Sequence, residues 1–141
     1  MKLTESDAKV LLKEGFLSAE FEEHEEAIEN FDKALEIMET AEIDLNKGIS
    51  LAELERFADA LECYDKASSI DSSHPLIWYN QGVVLTDLER FDVAIINYEK
   101  AIEIEPNYGD AWYNKAELLK HQGLEDEATN CFNKVKEIEG N

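Results

Sequence analysis

The chain repeats itself every 34 residues, and this internal periodicity constrains its fold more than any other property. The shift aligns equivalent residues throughout, with Gly48 on Gly82, Ala60 on Ala94, Tyr64 on Tyr98 and Ile70 on Ile104. Residues 54–57 recur unchanged as 88–91, and a shift of 33 aligns Gly15 with Gly48. A fixed period of this length is typical of stacked supersecondary units rather than of a globule with one central core.

Each repeat contains two stripes of apolar residues at helical spacing, separated by a short polar turn. The short turn makes the two helices of a repeat antiparallel neighbours. Thr4 with Asp7 resembles a capping box, Thr40 is a second cap, Pro75 suits the first turn of a helix, and Pro106 must follow one. The predicted helices span 5–20, 24–38, 41–54, 57–70, 75–88, 91–104, 109–122 and 125–139.

The small and aromatic residues of the repeat carry a family resemblance. The third copy supplies Trp78, Gly82, Leu85, Ala94, Tyr98, Ala101 and Pro106. In this pattern the chain resembles the tetratricopeptide repeat family. The resemblance implies an all-α protein, a right-handed α-solenoid of four helix-turn-helix repeats. It would form a single domain, 1–141, with repeats at about 8–40, 41–74, 75–108 and 109–141. One departure stands out, because Asp44 replaces the first aromatic of the second repeat.

The last predicted helix is more polar than its predecessors on one face. Thr129 stands where earlier repeats carry Ile28, Leu61 and Ile95, and Lys136 replaces a second largely apolar position. A terminal unit needs a polar outer face. We therefore expect the array to be complete with four repeats, the alternative being that this face docks another subunit.

Charge excludes several classes of partner. The 33 acidic and 13 basic side chains give a formal net charge of −20, which repels nucleic acid and anionic lipid surfaces. Apolar runs are too short to span a bilayer, and the N-terminal segment lacks the pattern of a secretory signal. Cys63 and Cys131 occupy equivalent positions two repeats apart, about 20 Å at the spacing of packed helices and beyond disulfide reach. We expect a cytoplasmic protein with no nucleic-acid or membrane partner.

The resemblance implies a concave groove lined by the first helix of each repeat. At one inward position the successive repeats carry Lys13, Asn46, Asn80 and Asn114. An amide can donate to and accept from an extended peptide backbone at once, so these asparagines predict a ladder that grips main chain. The alternative is that asparagine serves ordinary helix-surface chemistry here.

Apolar side chains flank the predicted ladder. The candidate peptide-binding residues are Phe16, Asn46, Ile49, Tyr79, Asn80, Val83, Tyr113 and Asn114, with Leu12 and Leu45 beside them. An acidic rim surrounds them, formed by Glu42, Glu53, Asp87, Asp110 and Glu117. An apolar surface with an acidic border favours a protein or peptide segment with apolar anchors and some Lys or Arg. The alternative is that Leu45 and Tyr79 only pack between neighbouring first helices.

One binding mode known in the family does not suit these residues. Grooves that clamp a C-terminal carboxylate use Lys and Arg beside Asn, whereas the equivalent positions here hold Leu12, Phe16, Asn46, Leu76 and Asn80 in one alignment. An acidic groove without those cations would repel a carboxylate, so we exclude this mode.

Catalytic signals are weak. His24, His74 and His121 have no metal-ligand spacing, neither cysteine has a histidine that the repeat geometry would bring close, and no glycine-rich phosphate loop is present. We predict no catalytic residues, no metal site and no cofactor. The preferred hypothesis is a non-catalytic adaptor that binds a peptide segment. The alternative is a self-associating subunit, a weak homo-oligomer docking through its end helices at Leu3, Val10 and Leu17 or at Cys131 and Ile138.

Overall fold

Helix is the dominant structure of the chain, as the periodicity predicts. The computed structural model describes residues 2–140, and within that range it contains eight α-helices and no strand. The helices are α1 (Glu5–Glu20), α2 (His24–Ile37), α3 (Ala41–Glu53), α4 (Phe57–Ile70), α5 (Pro75–Asp87), α6 (Phe91–Ile104), α7 (Gly109–His121) and α8 (Glu125–Glu139). Every predicted start is confirmed, and four helices end one residue earlier than predicted.

Local chemistry explains where the helices begin. The Asp7 backbone amide donates to Thr4 Oγ1 at 3.3 Å and the Thr4 amide donates to Asp7 Oδ2 at 2.7 Å, which completes the predicted capping box. The Ile43 amide donates to Thr40 Oγ1 at 3.2 Å at the start of α3. Pro75 is the first residue of α5, where its missing N–H costs no helical hydrogen bond.

The turn inside each helix pair has a feature that the sequence analysis missed. Glu22, Glu55 and Glu89 adopt φ near +60°, and Gly123 takes the equivalent place in the last pair. In the first turn the Glu23 amide donates to the Ser18 carbonyl at 2.8 Å, as in a Schellman motif. Left-handed backbone normally favours glycine, so three of the four turns hold a glutamate in a less favourable conformation.

The eight helices form two compact units, each made of two helix pairs. The first unit ends at Ser72 and contains α1 to α4, and the second begins at Ser73 and contains α5 to α8. In both units the helices of a pair pack together, and the second helix of one pair also packs on the first helix of the next, α2 on α3 and α6 on α7. At the end of the second unit Thr129 and Lys136 are exposed.

A glycine in the first helix of three pairs packs directly on an aromatic ring in the second. Phe31, Tyr64 and Tyr98 are fully buried opposite Gly15, Gly48 and Gly82. A Cβ on Gly48 would lie 2.6 Å from Cε1 of Tyr64, closer than carbon atoms can approach without displacement. In the last pair Ala116 takes the glycine's place, and its neighbour Phe132 is only half-buried.

We therefore expect Gly48→Ala to lower the free energy of unfolding by about 1–3 kcal/mol, the usual cost of overpacking a core. Urea denaturation followed by circular dichroism would measure the change. Gly109→Ala is the control, because its Cβ would meet its nearest neighbour, Ile138 Cγ2, at an ordinary 3.8 Å. Equal midpoints for the two variants would contradict the close-packing explanation.

Candidate functional site

In the second unit, the predicted binding residues lie on the first helices of its two pairs. Tyr79, Asn80 and Val83 are on α5, and Tyr113 and Asn114 are on α7. The Asn114 amide donates to the Tyr79 hydroxyl at 3.2 Å, which brings these two predicted residues together. We call the surface formed by these five residues the α5–α7 face.

Asparagine side chains of the predicted ladder use part of their hydrogen-bonding capacity within the protein. Asn46 Nδ2 donates to the Glu42 carbonyl at 2.8 Å, and Asn80 Nδ2 donates to the Leu76 carbonyl at 2.9 Å, each one turn earlier in its own helix. Asn114 reaches a neighbouring helix instead. Because an amide has two N–H donors and a carbonyl acceptor, each of these interactions occupies only one donor.

Two further tyrosine rings pack against Tyr79 of the α5–α7 face. The Tyr79 ring stacks on Tyr108 with centroids 5.1 Å apart and contacts Tyr98 at 5.9 Å. Burial raises the pKa of the Tyr79 hydroxyl, and the Asp110 carboxylate adds to this, while the hydrogen bond from Asn114 opposes it. The hydroxyl is therefore a neutral donor and acceptor at physiological pH. Tyr108 was missed in the sequence because it precedes α7, outside the helical repeat pattern.

Exposure differs among the predicted residues of this face. Tyr113 is 48 % exposed and packs edge-on against Phe132, with ring centroids 5.8 Å apart. Tyr79, Asn80, Val83 and Asn114 are half-buried. Both apolar and amide side chains of α5 and α7 are thus at least partly accessible to solvent.

A small cavity of about 150 Å³ opens next to Val83 and Asn114. Thr86 and Asp87 from α5, Tyr98 from α6, and Glu117 and Leu118 from α7 complete its lining. The Thr86 Oγ1 and Tyr98 hydroxyl lie 3.0 Å apart and hydrogen bond. Burial raises the pKa of Tyr98, and its hydrogen bonds with Thr86 and Asn114 oppose the rise, so the cavity has neutral hydroxyls together with two carboxylates.

In the first unit, the predicted residues Phe16, Asn46 and Ile49 are half-buried. Phe16 packs edge-on against the buried Phe31, with centroids 6.0 Å apart. Leu45 is only 3 % exposed, so for this residue packing between helices is the correct interpretation. A cavity of about 100 Å³ between α1 and α3 is lined by Ala8, Lys9, Leu12, Met38, Thr40, Glu42 and Ile43.

Asp44 is the most unusual charged residue of the first unit. It stands where Trp78 and Trp112 occur in later repeats, is 1 % exposed, and its Oδ2 has no hydrogen-bond partner. The pKa of Asp44 is raised to about 7, first by burial and then by the adjacent Glu39 carboxyl, against the attraction of Lys66 and Lys47. Burial penalises the ionised carboxylate, and the like charge of Glu39 adds to this, so both effects favour the neutral form.

Cys63 and His24 are side chains of types that often take part in catalysis or metal binding. Burial raises the pKa of the Cys63 thiol to about 11, which opposes formation of a reactive thiolate. Across residues 2–140 no cluster of three or more His, Cys, Asp or Glu side chains is arranged to hold a metal ion. His24 lies 3.4 Å from the Ser50 hydroxyl, at the turn between α1 and α2.

Comparison with known proteins places this geometry in a family. Residues 41–74, 75–108 and 97–129 each match a tetratricopeptide repeat model, which together span 41–129. The chain belongs to the tetratricopeptide repeat family, whose members are generally protein-interaction modules.

Solved structures share the fold. A crystal structure of MamA matches with a TM-score of 0.91 and 26% identity, over 95% of this chain and 79% of MamA. YrrB, described as a TPR protein with an unusual peptide-binding site, matches with a TM-score of 0.82 and 23% identity over 96% and 71% of the two chains. The first TPR of Spaghetti (RPAP3), bound to the HSP90 peptide SRMEEVD, has a TM-score of 0.82 and 20% identity over 86% and 97%.

Two further findings complete these comparisons. No curated protein matches the chain in sequence. Among residues 2–140, none of the helices has the length and apolar character needed to cross a bilayer.

Because the carboxyl of Asp44 is buried, we expect the stability of the protein to depend on pH. Its pKa is about 7 in the folded state and near 3.8 in the unfolded chain, so the native state binds the proton more tightly between these values. The stability contributed by the neutral carboxyl is complete below about pH 4 and is lost as the pH rises towards 7. Asp44→Asn should unfold with less dependence on pH over this window.

At pH 8 we expect Asp44→Asn to be more stable than the unmodified protein by about 1–3 kcal/mol, the range for a buried unsatisfied polar group. Urea midpoints at pH 5, 6, 7 and 8 would test this. Glu36→Gln, which removes the same charge from an exposed position on α2, is the control. If both variants follow the same pH profile, Asp44 is not the titrating group.

Proposed function

We propose that this protein is a non-catalytic adaptor that binds a peptide segment of another protein on its α5–α7 face. The observation that carries the proposal is the accessibility of Tyr113 beside half-buried Tyr79, Val83 and the two asparagines. Aromatic side chains of this kind supply much of the energy of peptide and protein interfaces. Phe16, Asn46 and Ile49 are proposed as peptide-contacting residues of the first unit taken by itself.

The chemistry of this face indicates the kind of segment it accepts. Apolar contacts suit aliphatic or aromatic anchors, and the amide groups of Asn80 and Asn114 suit a main chain. The acidic residues Asp87, Asp110 and Glu117 on α5 and α7 are exposed, and they favour Lys or Arg in the partner. The peptide SRMEEVD, held by the first TPR of Spaghetti, is acidic in its second half, whereas the exposed acids of α5 and α7 lead us to propose a basic partner for this chain.

Selection of random displayed peptides on the whole chain would test the proposal. We expect enriched peptides that combine apolar residues with Lys or Arg. Tyr113→Ala, and the double variant Asn80→Ala with Asn114→Ala, should each weaken a selected peptide by about tenfold, or about 1.4 kcal/mol. Fluorescence anisotropy would measure the affinity, and increasing salt should lower it.

Val93→Ala is the matched control, because Val93 has the same 48 % exposure as Tyr113 but lies on α6. Unchanged affinity in both Tyr113→Ala and the double asparagine variant, with circular dichroism spectra like that of the unmodified protein, would refute peptide binding on this face. Affinity that falls equally in Val93→Ala would point to a binding surface elsewhere.

Self-association is the second candidate, favoured by an apolar stripe on the first helix pair. Leu3, Val10, Leu17 and Phe21 are each more than half exposed. Val10 and Leu17, seven residues apart, lie on one side of α1, and Leu3 and Phe21 flank the two ends of the helix. On α8, by contrast, Cys131 is buried and Ile138 is half-buried. The stripe on α1 is therefore the stronger proposed contact between copies.

Sedimentation velocity over a hundredfold concentration range would test this second candidate. Self-association through α1 predicts a sedimentation coefficient that rises with concentration, and Val10→Lys with Leu17→Lys should abolish the rise. A coefficient that stays constant in the unmodified protein would eliminate the candidate.

A further inference from the structure

We infer that the cavity beside Val83 is a pocket for one protonated basic side chain, lysine or arginine, of the bound segment. This inference rests on the proposed function, and it assigns the charged anchor of the partner to a defined place. Three properties of the cavity carry it: its size, the chemistry of its walls, and its difference from the equivalent place in the first unit.

Size restricts what the cavity can accept. A volume of about 150 Å³ is close to that of an engineered cavity that takes a benzene molecule. One long side chain therefore fits, whereas a nucleotide or a folded element does not. Val83 and Leu118 provide apolar contact for methylene groups, as basic side chains require along their stems.

The polar part of the lining is rich in acceptors. Asp87 and Glu117 are exposed carboxylates, and no ion pair engages either of them among the described residues. Asn114 donates through its NH₂ group to Tyr79, which leaves its carbonyl oxygen as an acceptor. An ammonium or guanidinium group has only donors, so this set is complementary to it.

A metal ion is a poorer fit to the same lining. Calcium takes six to eight oxygen ligands, whereas the cavity offers two carboxylates and few neutral oxygens beside two apolar walls. A carboxylate or phosphate would be repelled by Asp87 and Glu117. The combination of apolar stem contact with two negative charges is specific to a basic side chain.

Three of the polar residues that line the cavity have apolar equivalents in the first unit. At the places of Thr86, Tyr98 and Glu117 it has Ala19, Phe31 and Ile49, whereas Asp87 and Leu118 correspond to Glu20 and Ser50. Two hydroxyls and one carboxylate thus replace three apolar groups in the second unit. The helices of the first unit pack without these three polar groups, which agrees with a binding role for them in the second unit.

Nuclear magnetic resonance of the ¹⁵N-labelled whole chain would test the pocket directly. The probes are the methylamides of Nα-acetyl-lysine, Nα-acetyl-arginine and Nα-acetyl-norleucine. The first two keep their charged side chains, and norleucine has a lysine-like stem without the charge. We expect saturable shifts at the Val83, Asn114 and Leu118 amides with the lysine or arginine probe, and binding at least fivefold weaker for norleucine.

Variants locate the interaction. Asp87→Asn with Glu117→Gln should weaken the basic probe by about tenfold, whereas Glu103→Gln, an exposed acid on α6, should leave it unchanged. Equal binding of lysine and norleucine probes, shifts centred elsewhere, or equal effects of the pocket and control variants would overturn the inference.

The outcome separates the pocket from the proposed function. If selected peptides bind and respond to Tyr113→Ala but not to the Asp87 and Glu117 variants, the adaptor role stands and the pocket assignment is wrong. If the basic probe binds as expected but no peptide does, the pocket stands and the adaptor role is wrong.

Discussion

Close contact between a glycine and a buried aromatic ring is the interaction on which the rest of this structure depends. Gly48 against Tyr64 and Gly82 against Tyr98 let two helices approach until ring and backbone touch. This contact decides which side of each first helix is buried and which side remains accessible. Exposure on the α5–α7 face is therefore a consequence of core packing, because Asn80 and Val83 are close in the chain to Gly82, which faces inward.

Tyr98 connects this core contact to the cavity. Its ring packs against Gly82, and its hydroxyl hydrogen bonds with Thr86. Tyr98 also forms part of the cavity lining. A phenylalanine, as at Phe31, would make the same ring contact but offer no hydroxyl. One atom thus distinguishes a purely structural aromatic from one that also shapes a polar pocket, at no cost to the packing of the pair.

Charge has opposite effects in the two units. In the second unit, exposed carboxylates on α5 and α7 remain hydrated and available for a cationic partner, where they cost little stability. In the first unit, Asp44 is buried and is stabilised in its neutral form. The same side-chain chemistry therefore costs little when solvated and makes stability depend on pH when enclosed, since burial penalises the ionised form.

The sequence by itself determined the helices, because repetition showed every boundary several times and caps such as Thr4, Thr40 and Pro75 act locally. It also predicted that Tyr79, Val83 and Asn114 belong to one surface, since the first helices of successive repeats lie side by side. Only the tertiary structure decided that Leu45 is buried, that Tyr108 stacks under Tyr79, and that Asp87 and Glu117 share a cavity. These facts depend on side-chain directions and on contacts between residues about 30 apart, which a repeat pattern does not specify. The pattern gives the order and spacing of the helices, whereas exposure and cavity shape arise from how their side chains fill the space between them.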